Sequence, residues 1–274
     1  MAALTGALVE APDWGWTSGR TLGLAALAVA AGIWFWARSL RHPRPLLELH
    51  LLRLPRFGIA GLGTLTFNVA FAIMLLSNVL WCQEVWHWSA LRTGVALVPG
   101  PALVPIVTVL TSRAVHRFGP GRLVTVGGLL FAAGMLWRVA MISVQPNYLR
   151  DLLPSMILSG IGVGLAMGTL MAAGLQSLPP DRAATGSALV NSVRQISASI
   201  GVALLVTIVG SQITAQSQNA FRWAWALAAT LTLATAAVGL ALTASHSRSA
   251  ASGPALPRPV LDGARSGADG RRAT

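Results

Sequence analysis

Apolar residues fall into seven long blocks between Thr21 and Thr243, and polar residues gather in the intervals between them. An α-helix rises 1.5 Å per residue, so about 20 apolar residues cross the hydrocarbon layer of a bilayer. The blocks predict spans at Thr21–Ala37, Phe57–Cys82, Gly94–Ser112, Leu123–Ile142, Leu152–Leu175, Gly186–Ile213 and Trp223–Thr243. The first is short, but Trp14 and Trp16 before it and Trp34 and Trp36 at its far end suit the two headgroup layers. Leu46–Leu54 mixes leucines with Glu48, His50 and Arg53. It is too short to span and is expected to lie along the membrane surface. From Ala244 onward the chain is mostly Ser, Ala, Gly, Pro and Arg, a composition expected to stay disordered. The predicted fold class is therefore an all-α membrane protein with seven transmembrane helices.

Composition agrees with this reading. The chain is 54% hydrophobic and 10% charged, against about 25% charged in a soluble domain. The net charge of +12 is carried by arginine alone, since lysine is absent. Such basicity raises the question of nucleic acid. The arginines, however, sit at the ends of apolar spans and not along one polar face, so no nucleic-acid partner is expected. Arg38, Arg41, Arg44, Arg53, Arg56, Arg113, Arg117, Arg122, Arg182 and the tail arginines fall on one side of the predicted layout. The other side holds only Arg20, Arg92, Arg150 and Arg222. Cations stay cytoplasmic, which predicts an outside N-terminus and a cytoplasmic C-terminus in the cell's inner (plasma) membrane. No basic leader precedes the first span, which is expected to direct insertion itself. Cys82 is the sole cysteine, so no internal disulfide or thiolate metal site is expected, and it is read as a small packing hydrophobe.

Enzymatic chemistry at depth needs clustered acids, bases or metal ligands. All five histidines and all eight acids fall outside the interiors of the predicted spans. No enzyme, metal or cofactor is expected. Arg138 and Arg194 are the ionisable residues within spans. Arg138, near the outer end of its span, is expected to snorkel to the interface. Arg194 begins about 12 Å deep by helical rise and shares a face with Ser187, Asn191 and Gln195. A polar stripe on a membrane helix faces protein or a water-filled route, so Asn191, Arg194 and Gln195 are candidate pathway residues. Thr64 and Asn68 lie four apart, flanked by Phe67 and Phe71. Amide, hydroxyl and ring together suit a cavity wall for an amphipathic solute, and Thr64, Asn68 and Phe71 join the candidates. Ordinary interhelical hydrogen bonding is the alternative, and Ser77 and Asn78 are assigned to it. Gly160, Gly164 and Gly168 form a small-residue ridge for close helix contact. Pro99, Gly100, Pro101 and Pro105 predict a kinked, hinge-like helix.

Three segments resemble one family. Thr111–Arg122 (TSRAVHRFGPGR) resembles the cytoplasmic loop motif of the major facilitator superfamily. Leu178–Ala203 is similar to the loop and penultimate helix of its fourteen-helix drug:proton antiporters, and Trp14–Leu24 to the approach to their eighth helix. The resemblance runs from Trp14 to about Thr243. It implies an extracellular segment 1–20, a linker transmembrane helix 21–37, a basic amphipathic connector 38–56, a six-helix C-terminal transporter bundle 57–243 and a cytoplasmic tail 244–274. The bundle would hold two inverted three-helix repeats. Arg113, Arg117, Gly119 and Arg122 match the loop motif, while Ser112 stands where glycine, and His116 where an acid, is expected. The resemblance implies the C-terminal half of a proton-driven exporter of amphipathic drugs or secondary metabolites. Its partners would be membrane lipid, a small amphipathic substrate and protons handled by an N-terminal half absent from this chain. A facilitator for another small solute, or an inactive truncated remnant, is the alternative.

Overall fold

The computed structural model describes residues 55–176, 178, 183–210, 213 and 217–251. The expected linker helix 21–37, the segment before it, the connector up to residue 54 and the tail beyond residue 251 lie outside the described residues. Within them the chain is helical throughout. It forms α1 (Pro55–Leu80), α2 (Ala90–Leu97), α3 (Pro99–Phe118), α4 (Pro120–Met141), α5 (Leu153–Leu175), α6 (Ala183–Val209) and α7 (Gln218–Ala251). Wide π-helical turns extend α1 over Trp81–Val85 and precede α5 over Tyr148–Leu152. Six helical units are long and apolar enough to cross a membrane, α2 and α3 together making one. Water is absent from hydrocarbon, so each peptide group must be paired within its own segment, and these apolar blocks become helices for that reason.

Helix boundaries follow local chemistry. Gly119 takes φ +79° between α3 and α4, and Pro120 opens α4 with the dihedral already set. The prolines of the second span act at Val98, where one turn residue separates α2 from α3. Pro99 and Pro101 supply no N–H there, whereas Pro105 is accommodated inside a continuous α3. Several boundaries differ from the apolar blocks; α3, for one, runs past Ser112 to Phe118. Pro55 and Arg56, expected in the connector, open α1. The span expected to reach Ile213 stops at Val209, because Gly210 has φ +82°. Helix α7 continues past Ala244 to Ala251, so the first residues of the expected disordered tail are helical.

The packing repeats itself. Helix α1 lies against α6 and α7, while α5 lies against α3 and α4; α4 packs along α7, and α1 meets α5. Exchanging α1 with α5, α3 with α6 and α4 with α7 reproduces the same set of contacts. This is the arrangement of two three-helix repeats, each lending its first helix to the second helix of the other. Backbones come very close at these crossings. A Cβ on Gly127 would lie 2.9 Å from the Gly162 carbonyl oxygen, and one on Gly201 2.5 Å from that of Val69. Only glycine admits such contact, which is how apolar helices gain dispersion energy where lipid offers no hydrophobic drive. Hydrogen bonds add to it: Thr66 and Thr235 hydroxyls meet at 2.8 Å between α1 and α7, and Trp225 Nε1 donates to Ser77 Oγ at 2.9 Å.

One end of the bundle is aromatic. Trp81 packs edge-on to Phe221 and Trp225 with ring centres 5.2 and 5.4 Å apart, and Trp86 lies 4.8 Å from Trp88. The opposite end carries the α3–α4 junction at Gly119; the expected loop is helical on either side of it, with Arg113, Arg117 and Arg122 on the flanking turns.

Candidate functional site

Helices α3 and α6 are the least buried of the six spans. Between them, α1 and α5 floor a groove that runs much of the bundle's length. Near the aromatic end it forms a cavity of about 310 Å³ lined by Phe71, Met74, Asn78, Pro101, Pro105, Met156, Ser159 and Met167. A middle cavity of about 260 Å³ adds Thr64, Asn68, Thr108, Gly168, Met171 and Arg194 and shares Val104, Val163 and Met167 with the first. A third, of about 300 Å³, adds Ser187 and Asn191 toward the other end and shares Met171, Val190 and Arg194 with the second. The walls are therefore apolar and rich in methionine, with a few amide, hydroxyl and guanidinium groups spaced along them.

The candidates drawn from sequence take different places. Thr64 and Asn68 are buried and line the middle cavity. Thr64 Oγ1 donates to the Ala60 carbonyl at 2.9 Å, and Asn68 Nδ2 donates to the Thr64 carbonyl at 2.7 Å. Phe71 lines the first cavity, whereas its neighbour Phe67 turns into the core and packs edge-on to Phe131 at 5.4 Å. Asn191 and Arg194 come together in the third cavity. Because α6 starts at Ala183, Arg194 is about 16 Å along the helix, about one turn farther from its start than the apolar block implied. Gln195 is exposed and lines none of these cavities. One residue on from Arg194 turns the side chain by about 100°.

The small-residue ridge and the prolines hold the groove's far wall. A Cβ on Gly160 would stand 2.7 Å from the Gly100 carbonyl oxygen, and one on Gly164 2.6 Å from Val107 Cβ. Gly168 has only Thr108 Cγ2, at 3.9 Å, and opens onto the middle cavity. Pro101 and Pro105 line the first cavity, and Pro99 marks the α2–α3 break. Arg113, Arg117 and Arg122 are exposed at the loop end, remote from the groove, with Arg117 Cζ 5.5 Å from the Phe118 ring centre.

Two residues fall outside the sequence-based expectation. Asn78, assigned to interhelical bonding, lines the first cavity, and its buried Oδ1 has no partner among the described residues. Arg138 does not snorkel. It is fully buried, and its Nε donates to Ser155 Oγ at 2.8 Å. The cause is rotational phase. Arg138 continues the buried face of Phe131, Gly134 and Met135, while Trp137 takes the exposed one. The spacing of those apolar and glycine positions was the signal that could have placed it.

The model of the major facilitator superfamily matches residues 1–202. The chain belongs to this superfamily. Superfamily members are membrane transporters, and the six apolar helical units fit a multi-pass cell-membrane protein. Among curated relatives, a lincomycin resistance protein of Listeria monocytogenes is 28% identical over 218 residues, covering 78% of this chain and 45% of that protein. A methylenomycin A resistance protein of Streptomyces coelicolor is 28% identical over 211 residues, covering 77% of this chain and 44% of that protein. A tetracenomycin C resistance and export protein of Streptomyces glaucescens is 28% identical over 213 residues, covering 78% and 39%. This superfamily chain thus spans less than half the length of these relatives.

Proposed function

We propose that this chain forms one wall of the export route of a drug or secondary-metabolite transporter. The observation that carries the reading is the groove between α1, α3, α5 and α6. Met74, Met156, Met167 and Met171 line it with flexible, polarizable side chains that adapt to many apolar shapes. Asn68, Asn78 and Arg194 punctuate that surface with fixed polar contacts. A mostly apolar concavity with few polar groups suits an amphipathic solute. The resistance and export roles named for the relatives point the same way.

In this reading the least-buried helices α3 and α6 face a second six-helix half, and the substrate lies between the halves. Export draws on a proton gradient, with protons handled by acids of that second half, since the groove itself is lined by no carboxylate. The arginine-bearing loop end is cytoplasmic, so the aromatic end faces outward.

Binding of a fluorescent lipophilic cation to the full chain in lipid nanodiscs tests the proposal. Met156→Trp fills the first cavity and is expected to weaken saturable binding at least about tenfold, the price of lost pocket contact and steric exclusion. Leu240→Trp, on the exposed face of α7, serves as the control and leaves binding unchanged. Equal binding by both variants would refute the groove as the substrate wall.

A further inference from the structure

The buried face of α4 ends on a cation with no carboxylate partner among the described residues. Arg138 is 0% exposed, and its Cζ lies 6.0 Å from the Trp225 ring centre. Its Nε is satisfied by Ser155, but both terminal NH2 groups lack a partner among the described residues. So does the indole N–H of Trp81, a residue only 1% exposed, whose ring is 5.4 Å from that same Trp225. Unmet donors from two helical segments therefore flank one indole beneath the aromatic cap.

No carboxylate among the described residues answers them. Between Phe57 and Ala244 the acids are Glu84, Asp151 and Asp181. Glu84 is exposed. Asp151 is buried one helical turn from Ser155, but its Oδ2 is engaged by the Ser143 backbone N–H at 3.1 Å and hydroxyl at 2.8 Å. Asp181 belongs to the interval joining the opposite ends of α5 and α6, and the sequence 210–217, between α6 and α7, contains no acid. Arginine keeps its proton at neutral pH. A buried charge is stable only when paired, and Trp225 offers partial compensation through its ring face.

We propose that Arg138 and Trp81 form a binding site for a small monovalent anion, either an inorganic halide or the carboxylate group of a small solute. One uncompensated charge sets the valence. The near-zero exposure of both residues restricts the ligand to a few atoms, and the unmet N–H donors around Trp225 select an anion over a neutral molecule. This site is separate from the groove: neither residue lines its cavities.

Thermal unfolding of the full chain in nanodiscs, at constant ionic strength with gluconate as the bulky reference anion, tests the site. Chloride and formate are titrated separately, then against each other. The expected result is a saturable rise in the unfolding midpoint with at least one of them, absent in Arg138→Gln. Trp81→Phe keeps the ring, removes the N–H, and is expected to raise the half-saturating concentration about tenfold, the value of a hydrogen bond to a charged group. Saturation by chloride alone assigns an inorganic halide, by formate alone a carboxylate, and competition between them the shared chemistry. A midpoint indifferent to both anions, or an equal response in Arg138→Gln, overturns the proposal. Should Arg138→Gln fail to fold, an unchanged half-saturating concentration in Trp81→Phe overturns it instead.

Discussion

Alanine substitution at Gly160 and Gly168 isolates the price of close helix contact. The two glycines lie two turns apart on α5, so the change in composition is the same and the surroundings differ. At Gly160 a Cβ would stand 2.7 Å from the Gly100 carbonyl oxygen, with Gly100 C and Cα at 3.4 Å. A comfortable C···O approach is about 3.3 Å, so α3 must withdraw by about 0.6 Å. The obstacle is backbone and cannot rotate away. At Gly168 the nearest atom is Thr108 Cγ2 at 3.9 Å, an ordinary contact. Alanine gains about 1 kcal/mol of helix propensity over glycine in either place, and this gain cancels in the difference. What remains is the overpacking cost at Gly160, about 1–3 kcal/mol. For a chain of this size that separates the two unfolding midpoints by roughly 2–12 °C, Gly160→Ala being the lower. Cys82 provides the assay. It is the sole cysteine and fully buried, so a thiol-reactive fluorogenic maleimide reports unfolding as the thiol emerges. Midpoints within about 1 °C of each other would refute the inference that α3 rests on the α5 glycines.

Other outcomes follow from single contacts. Ser77→Ala removes the acceptor of the Trp225 indole N–H, leaves that buried donor unmet, and is expected to cost about 1–3 kcal/mol in the same maleimide assay. A double-mutant cycle of Thr66→Val and Thr235→Val is expected to give a coupling of about 0.6 kcal/mol, the usual worth of a hydrogen bond between membrane helices. In a Cys82→Ala background, Arg117→Cys is expected to react with an impermeant maleimide only from the cytoplasmic side. Gln216→Cys is expected to react only from outside; the reverse pattern would invert the proposed orientation.

Much of the fold was legible because a bilayer imposes one requirement on every segment, and hydropathy reports directly on whether a segment meets it. All six spans predicted between Phe57 and Thr243 correspond to helical units of the structure. Their ends were less legible, since a glycine with positive φ, as at Gly210, carries no hydropathy signal. For the groove, residue type marked which positions are polar, while helical phase decides where they point. Thr64, Asn68, Asn191 and Arg194 share the groove, but Gln195, adjacent in sequence, turns away from it. Arg138 was misplaced for a related reason. Position near a span's end favours the interface on average, yet the wide turn at Trp81–Val85 and the aromatic cap bury what would otherwise reach water.

The exchange symmetry of the bundle divides its labour. The four helices that line the groove are the first and second members of the repeats, while the third members, α4 and α7, clasp each other behind them. Substitutions that alter the groove's lining can accumulate on α1, α3, α5 and α6 while leaving that clasp intact. Under the proposed function, a change in what the groove accepts and a break in the α4–α7 clasp fall to different positions.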